Sequence, residues 1–409
     1  MPRKATTSGR QSPSRELPKA PASGQGPGGM PSCPHRPPCP GCPRYGEPGI
    51  APVARVALEA LARLHGLPGL AVVAGATSGF RLRARLAIRG RRGSPKLGMF
   101  QLGTHRVVHI PNCGVQHPLI NRVASVVRRA LVDADVTPYS EPAHQGLARY
   151  LQVVVERGSG TAQVVLVANS PTVEPLEECM ELIRERLGDE LHSLWFNARC
   201  DRSNVILGPE FRNWCGPASV VERFGGAAVH YPPGAFGQSN PDMAERIVEY
   251  VRARVPDGAR VAEFYAGVGA IGLSLLPRIR EIRMNEVSPH SLQGMALGLA
   301  GLDPQGRAKV QVVPGPAGDA LMAASGADVV IADPPRKGLD RELLEHLGGQ
   351  PPERFVYVSC GLDSFLEDTA RLTSRGTLRL RDLAAFNLMP FTEHVETVAC
   401  FERATAALS

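Results

Sequence analysis

From Tyr231 onward the chain alternates strand-forming and helix-forming stretches, and at the first such junction it reads Glu263-Phe264-Tyr265-Ala266-Gly267-Val268-Gly269-Ala270-Ile271-Gly272. A Gly-x-Gly-x-x-Gly run after a strand and opening a helix lets the backbone approach a ligand closely and presents the free N–H groups of the helix start. Strands are expected at Arg260–Tyr265, Glu281–Asn285, Ala327–Ala332 and Phe355–Ser359, with a last one over Val395–Phe401. Asn240-Pro241-Asp242 starts a helix with a side-chain cap, a proline at the first helical position and an acid beside it. Met243, Ile247, Val248 and Val251 then fall on one helical face. The alternation defines an α/β, Rossmann-like fold with a mostly parallel sheet covered on both sides. Gly267 and Gly269 suit a dinucleotide as well as S-adenosylmethionine, and Glu286, ending the second strand, can accept from the ribose hydroxyls of either.

The 409 residues exceed one ordinary core, so several domains are expected. Residues 1–32 are Pro, Gly, Ser and basic residues that cannot offset the entropy of ordering, and are read as a disordered basic tail. Residues 33–118 carry clustered cysteines, a helix over Val53–Leu64 and a basic strand. Residues 119–230 read as a small α/β middle domain, and 231–409 as the catalytic domain. The net charge of +7 is concentrated: residues 1–49 hold +5 and residues 80–97 hold +7, leaving −5 elsewhere. Phe80–Arg89 alternates, with Arg81, Arg83, Arg85 and Arg89 on one side and Leu82, Ala84, Leu86 and Ile88 on the other, which predicts a half-buried strand with a cationic outer face suited to phosphates. A solubility tail and a solvated strand would give the same charges. No apolar run of about 18 residues occurs, so no spanning helix is expected, and no apolar signal segment follows the basic start. A cytoplasmic protein is expected, where nine cysteines point to metal or catalysis rather than disulfides.

Two later segments decide between the cofactors. Gly318-Asp319-Ala320 is expected to end the third strand, where an acid faces the adenine amine of adenosylmethionine. Asp333-Pro334-Pro335-Arg336 ends the fourth, where methyltransferases place a substrate loop; two prolines make a rigid ledge with Asp333 aimed into the crevice. A dehydrogenase has no use for such a loop. The fifth strand ends in Tyr357-Val358-Ser359-Cys360, and His394-Val395-Glu396-Thr397-Val398 begins the last. Carbon C5 of uridine is a poor nucleophile until a thiolate adds to C6, and a base must afterwards remove the C5 proton, so the chemistry requires one Cys and one base in one crevice. Cys360 and Glu396 are the candidates.

Asp-Pro-Pro-Arg-x-Gly, Tyr-Val-Ser-Cys and His-Val-Glu-Thr-Val, in this order, resemble the RNA 5-methyluridine (uracil-C5) methyltransferase family, over roughly Cys33–Arg403. The resemblance implies a class I methyltransferase domain with a seven-stranded sheet, Cys360 as nucleophile and Glu396 as base. It also implies a pocket using Gln238 of Phe236-Gly237-Gln238-Ser239-Asn240 with Tyr265, Glu286, Asp319 and Asp333. Three positions depart from the family pattern: Gly361 stands for Asn, Asn387-Leu388-Met389-Pro390 for Asp-Met-Phe-Pro, and Ala266 for Cys. Cys33, Cys39 and Cys42 in a Pro-rich loop, with Cys113, provide four soft ligands, for which zinc and an iron–sulfur cluster are equal by chemistry alone. The family's ribosomal-RNA members imply a 4Fe-4S cluster on this pattern, with His35 and His117 as bystanders. The expected partner is therefore RNA, ribosomal RNA ahead of transfer RNA, bound by a monomer. A second reading, motivated by Gly361, Asn387 and the basic segments, is a non-catalytic RNA-binding or assembly factor on a methyltransferase scaffold.

Overall fold

The computed structural model describes residues 32–404, so the basic tail expected over 1–32 lies, but for its last residue, outside the described residues. In chain order the first elements are α1 (Pro52–Leu64) and β1 (Ala71–Val73). A second group follows: β2 (Arg83–Arg91), β3 (Ser94–Phe100), β4 (Val107–His109), α2 (Pro118–Asp133), β5 (Ala148–Val155), β6 (Ala162–Ala168), α3 (Glu177–Leu187), β7 (Leu191–Ala198) and β8 (Phe211–Cys215). A hairpin of β9 (Val220–Phe224) and β10 (Ala227–Tyr231) leads to the last group. That group comprises α4 (Pro241–Arg252), β11 (Arg260–Phe264), α5 (Ala270–Leu275), β12 (Glu281–Glu286), α6 (Pro289–Ala300), α7 (Pro304–Ala308), β13 (Val310–Pro314), β14 (Val329–Ala332), α8 (Arg341–Gly349), β15 (Arg354–Ser359), α9 (Leu362–Ser374), β16 (Leu378–Phe386) and β17 (Glu396–Arg403).

The catalytic sheet has the order β1-β16-β17-β15-β14-β11-β12-β13. Strands β11 to β15 run parallel and β17 is antiparallel to both its neighbours, which is the expected α/β arrangement. The expected seven strands become eight because β1 adds in parallel to the outer edge of β16, with Ala71 opposite Ala384. Helix α1 goes with it: Ala54, Leu58 and Leu61 share one core with Phe264, Leu343 and Phe355. Its amphipathic face is buried against the catalytic unit and not against the cysteine region in which its sequence lies.

The second sheet, β4-β3-β2-β5-β6-β7-β8, carries α2 and α3 on one face. The boundary expected at residue 118 falls inside this unit, because β2 pairs with β5 along Arg83–Ala87. The cationic outer face expected of β2 is largely turned inward: of Arg81, Arg83, Arg85 and Arg89 only Arg85 is exposed. Arg83 lies over the Tyr231 ring at 5.3 Å and donates to Ala235 O at 2.9 Å. Arg89 is buried among Phe100, Tyr139 and Tyr150 and pairs with Glu141. Alternation located the strand, but both its faces are covered by other parts of the chain. Among the described residues no helix is long and apolar enough to cross a membrane.

Candidate active site

The parallel strands open their carboxyl ends on one rim, where ligands bind in such sheets. At the end of β11 the loop alternates into left-handed backbone, with φ of 58° at Tyr265, 58° at Gly267 and 88° at Gly269. The two glycines take this conformation without Cβ strain, and a Cβ on Gly267 would meet nothing within 4 Å, so the loop faces open space. Glu286, buried at the end of β12, accepts from Gly267 N at 2.7 Å through one oxygen and from Val287 N and Ser288 N through the other. It thereby ties the second strand end to the glycine loop. Asp319 does not end β13, which stops at Pro314; it stands exposed in a short 3-10 turn beyond the strand. The Tyr265 hydroxyl is engaged by Asp340 N at 2.9 Å, so this residue connects the glycine loop to the substrate loop.

Asp333, Cys360 and Glu396 sit on adjacent strand ends. Ala332 pairs with Tyr357 and Ser359 with Thr397, so the antiparallel register sets Cys360 opposite Glu396. Burial pushes the Cys360 thiol up to about 11, with the Glu396 and Asp333 carboxyls adding and Arg336 opposing. Glu396 is itself raised, by burial and then by Asp333, and Asp333 is raised by burial. Two such carboxyls cannot both ionise easily. Glu396 Oε1 and Asn387 Oδ1 are buried acceptors without a hydrogen-bond partner, as expected of groups awaiting a donor from a ligand.

Three contacts fix the loop after Asp333. Asp368, on α9, accepts Leu339 N at 2.9 Å and the Tyr357 hydroxyl at 2.7 Å. Ser364 donates to Arg336 O at 2.9 Å. A Cβ on Gly361 would stand 2.5 Å from Arg336 O and 2.6 Å from Ser364 Oγ, so the residue that departs from the family pattern lets the loop close on Cys360. On the opposite side Gln238 is half-buried on a segment held by Arg83 at Ala235 O, by Gln152 Nε2 at Pro233 O (2.7 Å) and by Leu82 N at Ser239 O (2.8 Å). Asn240 caps α4 and donates to Leu388 O at 3.1 Å.

Sequence reasoning missed Glu263 and Asp368. Glu263 is buried under the glycine loop and raised to about 8 by burial, then by the charge of Asp333. The available signal was an acid on an otherwise apolar strand. Asp368 falls on the buried face of α9 with Phe365 and Leu372, again an acid at a core position.

The four front cysteines are brought together. Cys42 is pushed up to about 11 by burial and then by Cys113, Cys33 and Cys39. Cys42 is buried in a small core with Phe80, Val115 and Phe391. Among the described residues no group of three or more His, Cys, Asp or Glu is arranged to hold a metal ion. The His35 ring accepts Asn112 N at 3.3 Å and His117 caps α2.

This rim, with its glycine loop and the strand order around it, defines a class I S-adenosylmethionine-dependent methyltransferase. The model of the tRNA (uracil-5-)-methyltransferase family matches residues 321–404. The chain is 36% identical over 335 residues to an uncharacterized RNA methyltransferase of Protochlamydia amoebophila, covering 80% of this chain and 87% of that one. It is 28% identical over 330 residues to one of Enterococcus faecalis, covering 79% and 71%. In fold it is similar to the Pyrococcus abyssi tRNA (uracil-54, C5)-methyltransferase in complex with S-adenosyl-L-homocysteine, with a TM-score of 0.70, 22% identity and coverage of 85% and 81%. The chain belongs to the RNA uracil-C5 methyltransferase family and is an S-adenosylmethionine-dependent RNA methyltransferase.

Proposed function

We propose that this enzyme methylates C5 of a uridine in large-subunit (23S) ribosomal RNA, with Cys360 as nucleophile and Glu396 as base. The observation that carries the reading is the register that sets Cys360 opposite Glu396, with Asp333 on the neighbouring strand end. Cys360 releases its proton to water as its sulfur bonds to C6, so the carboxylate of Glu396 stays free to act as base in the later step. The glycine loop, Glu286, Asp319 and Gln238 would hold adenosylmethionine, whose methyl group would bond to C5 while S-adenosylhomocysteine leaves with the electron pair of the broken S–CH3 bond. Glu396 then takes the C5 proton, the C5–C6 double bond re-forms and the sulfur leaves with its electron pair. The target base reaches this crevice by leaving its stack.

Support for the ribosomal substrate comes from the four gathered cysteines, the pattern of the iron–sulfur subgroup. Around one zinc ion four sulfurs, each about 2.3 Å from the metal, stand within about 4 Å of one another. Cys33, Cys39, Cys42 and Cys113 are neighbours that could become four thiolate ligands of either kind of centre, and the resemblance of their spacing to the iron–sulfur subgroup is what selects a 4Fe-4S cluster here. Its role in this reading is to order a loop beside the RNA-binding unit. We place the enzyme in the cytoplasm as a monomer.

The test offers ribosomal and transfer RNA lacking the modification to the purified enzyme with labelled adenosylmethionine. 5-Methyluridine in ribosomal RNA, lost in Cys360→Ala, is the expected result. Label only in transfer RNA would refute the substrate, and no 5-methyluridine in either RNA while adenosylmethionine binds would refute the whole reading in favour of a non-catalytic RNA-binding factor.

A further inference from the structure

The cysteine loop touches the segment that leads into Glu396. Arg44 N donates to Phe391 O at 3.0 Å, and the Arg44 guanidinium reaches Thr392 O at 3.4 Å and stands 3.9 Å from Glu393. The Tyr45 and Phe391 rings are 5.1 Å apart, and Phe391 forms a small core with Cys42, Phe80 and Val115. Phe391 is fully buried at φ 68°, a conformation that a bulky residue keeps only when its surroundings hold it there.

From Phe391 the contacts run on toward the chemistry. Thr392 Oγ1 donates to Met389 O at 2.7 Å and accepts His394 N at 3.2 Å. His394 Nε2 lies 3.1 Å from Arg336 Nη2, at the end of the Asp-Pro-Pro-Arg loop, and Glu396 follows two residues later. One short segment thus connects the cysteine loop, the base and the substrate loop.

We propose that the loop Cys42–Glu47 braces the catalytic base. Arg44 and Tyr45 hold Phe391 in its left-handed conformation, which sets the turn through His394 and so the position of Glu396. Tyr45 is a positioning residue for proton abstraction, and the cysteine site serves catalysis by stiffening this brace. The inference rests on the reading of Glu396 as base. In the step concerned the C5 proton passes to the Glu396 carboxylate, the C5–C6 double bond re-forms and the C6–S bond breaks with its electrons returning to Cys360. A loosened brace slows that step while leaving adenosylmethionine binding alone.

The test compares wild type, Tyr45→Ala and Tyr45→Phe on unmodified ribosomal RNA. It follows covalent methylated adduct, free product, adenosylmethionine affinity and amide hydrogen exchange over residues 392–394. A general base contributes about 10²–10⁴-fold, and an ångström of misplacement costs about 10²-fold. Tyr45→Ala should therefore release product about 10–100-fold more slowly, with adduct accumulating, adenosylmethionine affinity within about twofold and faster exchange at 392–394. Tyr45→Phe, which keeps the ring, should behave as wild type. Unchanged product release, unchanged exchange, or a parallel loss of adduct and cofactor affinity would each overturn the brace. Absence of any adduct in the wild type overturns the underlying reading of Cys360 and Glu396 instead.

Discussion

Replacing Gly361 by alanine should cripple the attack of Cys360 without disturbing the cofactor site. The new Cβ would lie 2.5 Å from Arg336 O, against about 3.4 Å for an ordinary contact, so the carbonyl must retreat by about 0.9 Å. The loop has little freedom to do so, because Leu339 N is held by Asp368 and Asp340 N by the Tyr265 hydroxyl. The displacement falls on Asp333–Arg336 or on the turn carrying Cys360. A misplacement of about 1 Å costs about 100-fold in rate, or roughly 2.7 kcal/mol of transition-state stabilisation. Single-turnover trapping with RNA containing 5-fluorouridine measures this, because fluorine at C5 blocks elimination and every attack is counted. Adenosylmethionine affinity, measured alongside, should stay within about twofold. Gly361→Asn, which installs the family's usual residue, should be no better than alanine unless Ser364 and the Arg336 loop change with it. An adduct rate for Gly361→Ala within about threefold of wild type would refute the steric argument.

Glu396→Gln should still form the covalent adduct but not resolve it, so methylated RNA stays bound to protein on a denaturing gel; release at the wild-type rate would assign the base elsewhere. Glu263 is raised to about 8 in the folded chain against about 4.5 unfolded, so its stability contribution is full at low pH and falls as pH climbs between those values. The loss is at most roughly 5 kcal/mol, and thermal unfolding should show a stabilising effect of Glu263→Gln that grows from pH 5 to pH 8; an equal effect at both would count against it. Protein purified without oxygen should contain iron and sulfide with broad absorbance at the blue end, both lost in Cys42→Ser, whereas zinc without iron would overturn the cluster assignment.

The catalytic half was legible because its physics is local. A strand, a glycine run and a helix start lie within one stretch of chain, and the Pro-Pro loop, Cys360 and Glu396 each sit at a strand end that alternation locates. What escaped depended on pairing across distance. Ala71-Val72-Val73 is too short to announce a strand and becomes one only against β16. The alternation of Arg81–Arg89 gave the strand but not its surroundings, since nothing local says that Tyr231 and Tyr150 will cover the cations. Asp319 was placed at a strand end that arrives five residues earlier, at Pro314. The contact of Tyr45 with Phe391 has no sequence signal at all, because it joins residues from opposite ends of the chain.

The pairing of β1 with β16 also bears on how the protein is made. Residue 71 meets residue 384, and at about 5–20 residues per second the ribosome delivers the second roughly 15–60 s after the first. For much of that interval the apolar face of α1, with Leu58 and Leu61, lacks its full cover, because Phe264 emerges more than halfway through it and Leu343 and Phe355 only near its end. During synthesis the front of the chain is thus a natural substrate for chaperones. Shortening the chain after β15 should leave β1 unpaired even though its own sequence is intact, because the edge strand of the sheet is among the first parts synthesised and the last to find its place.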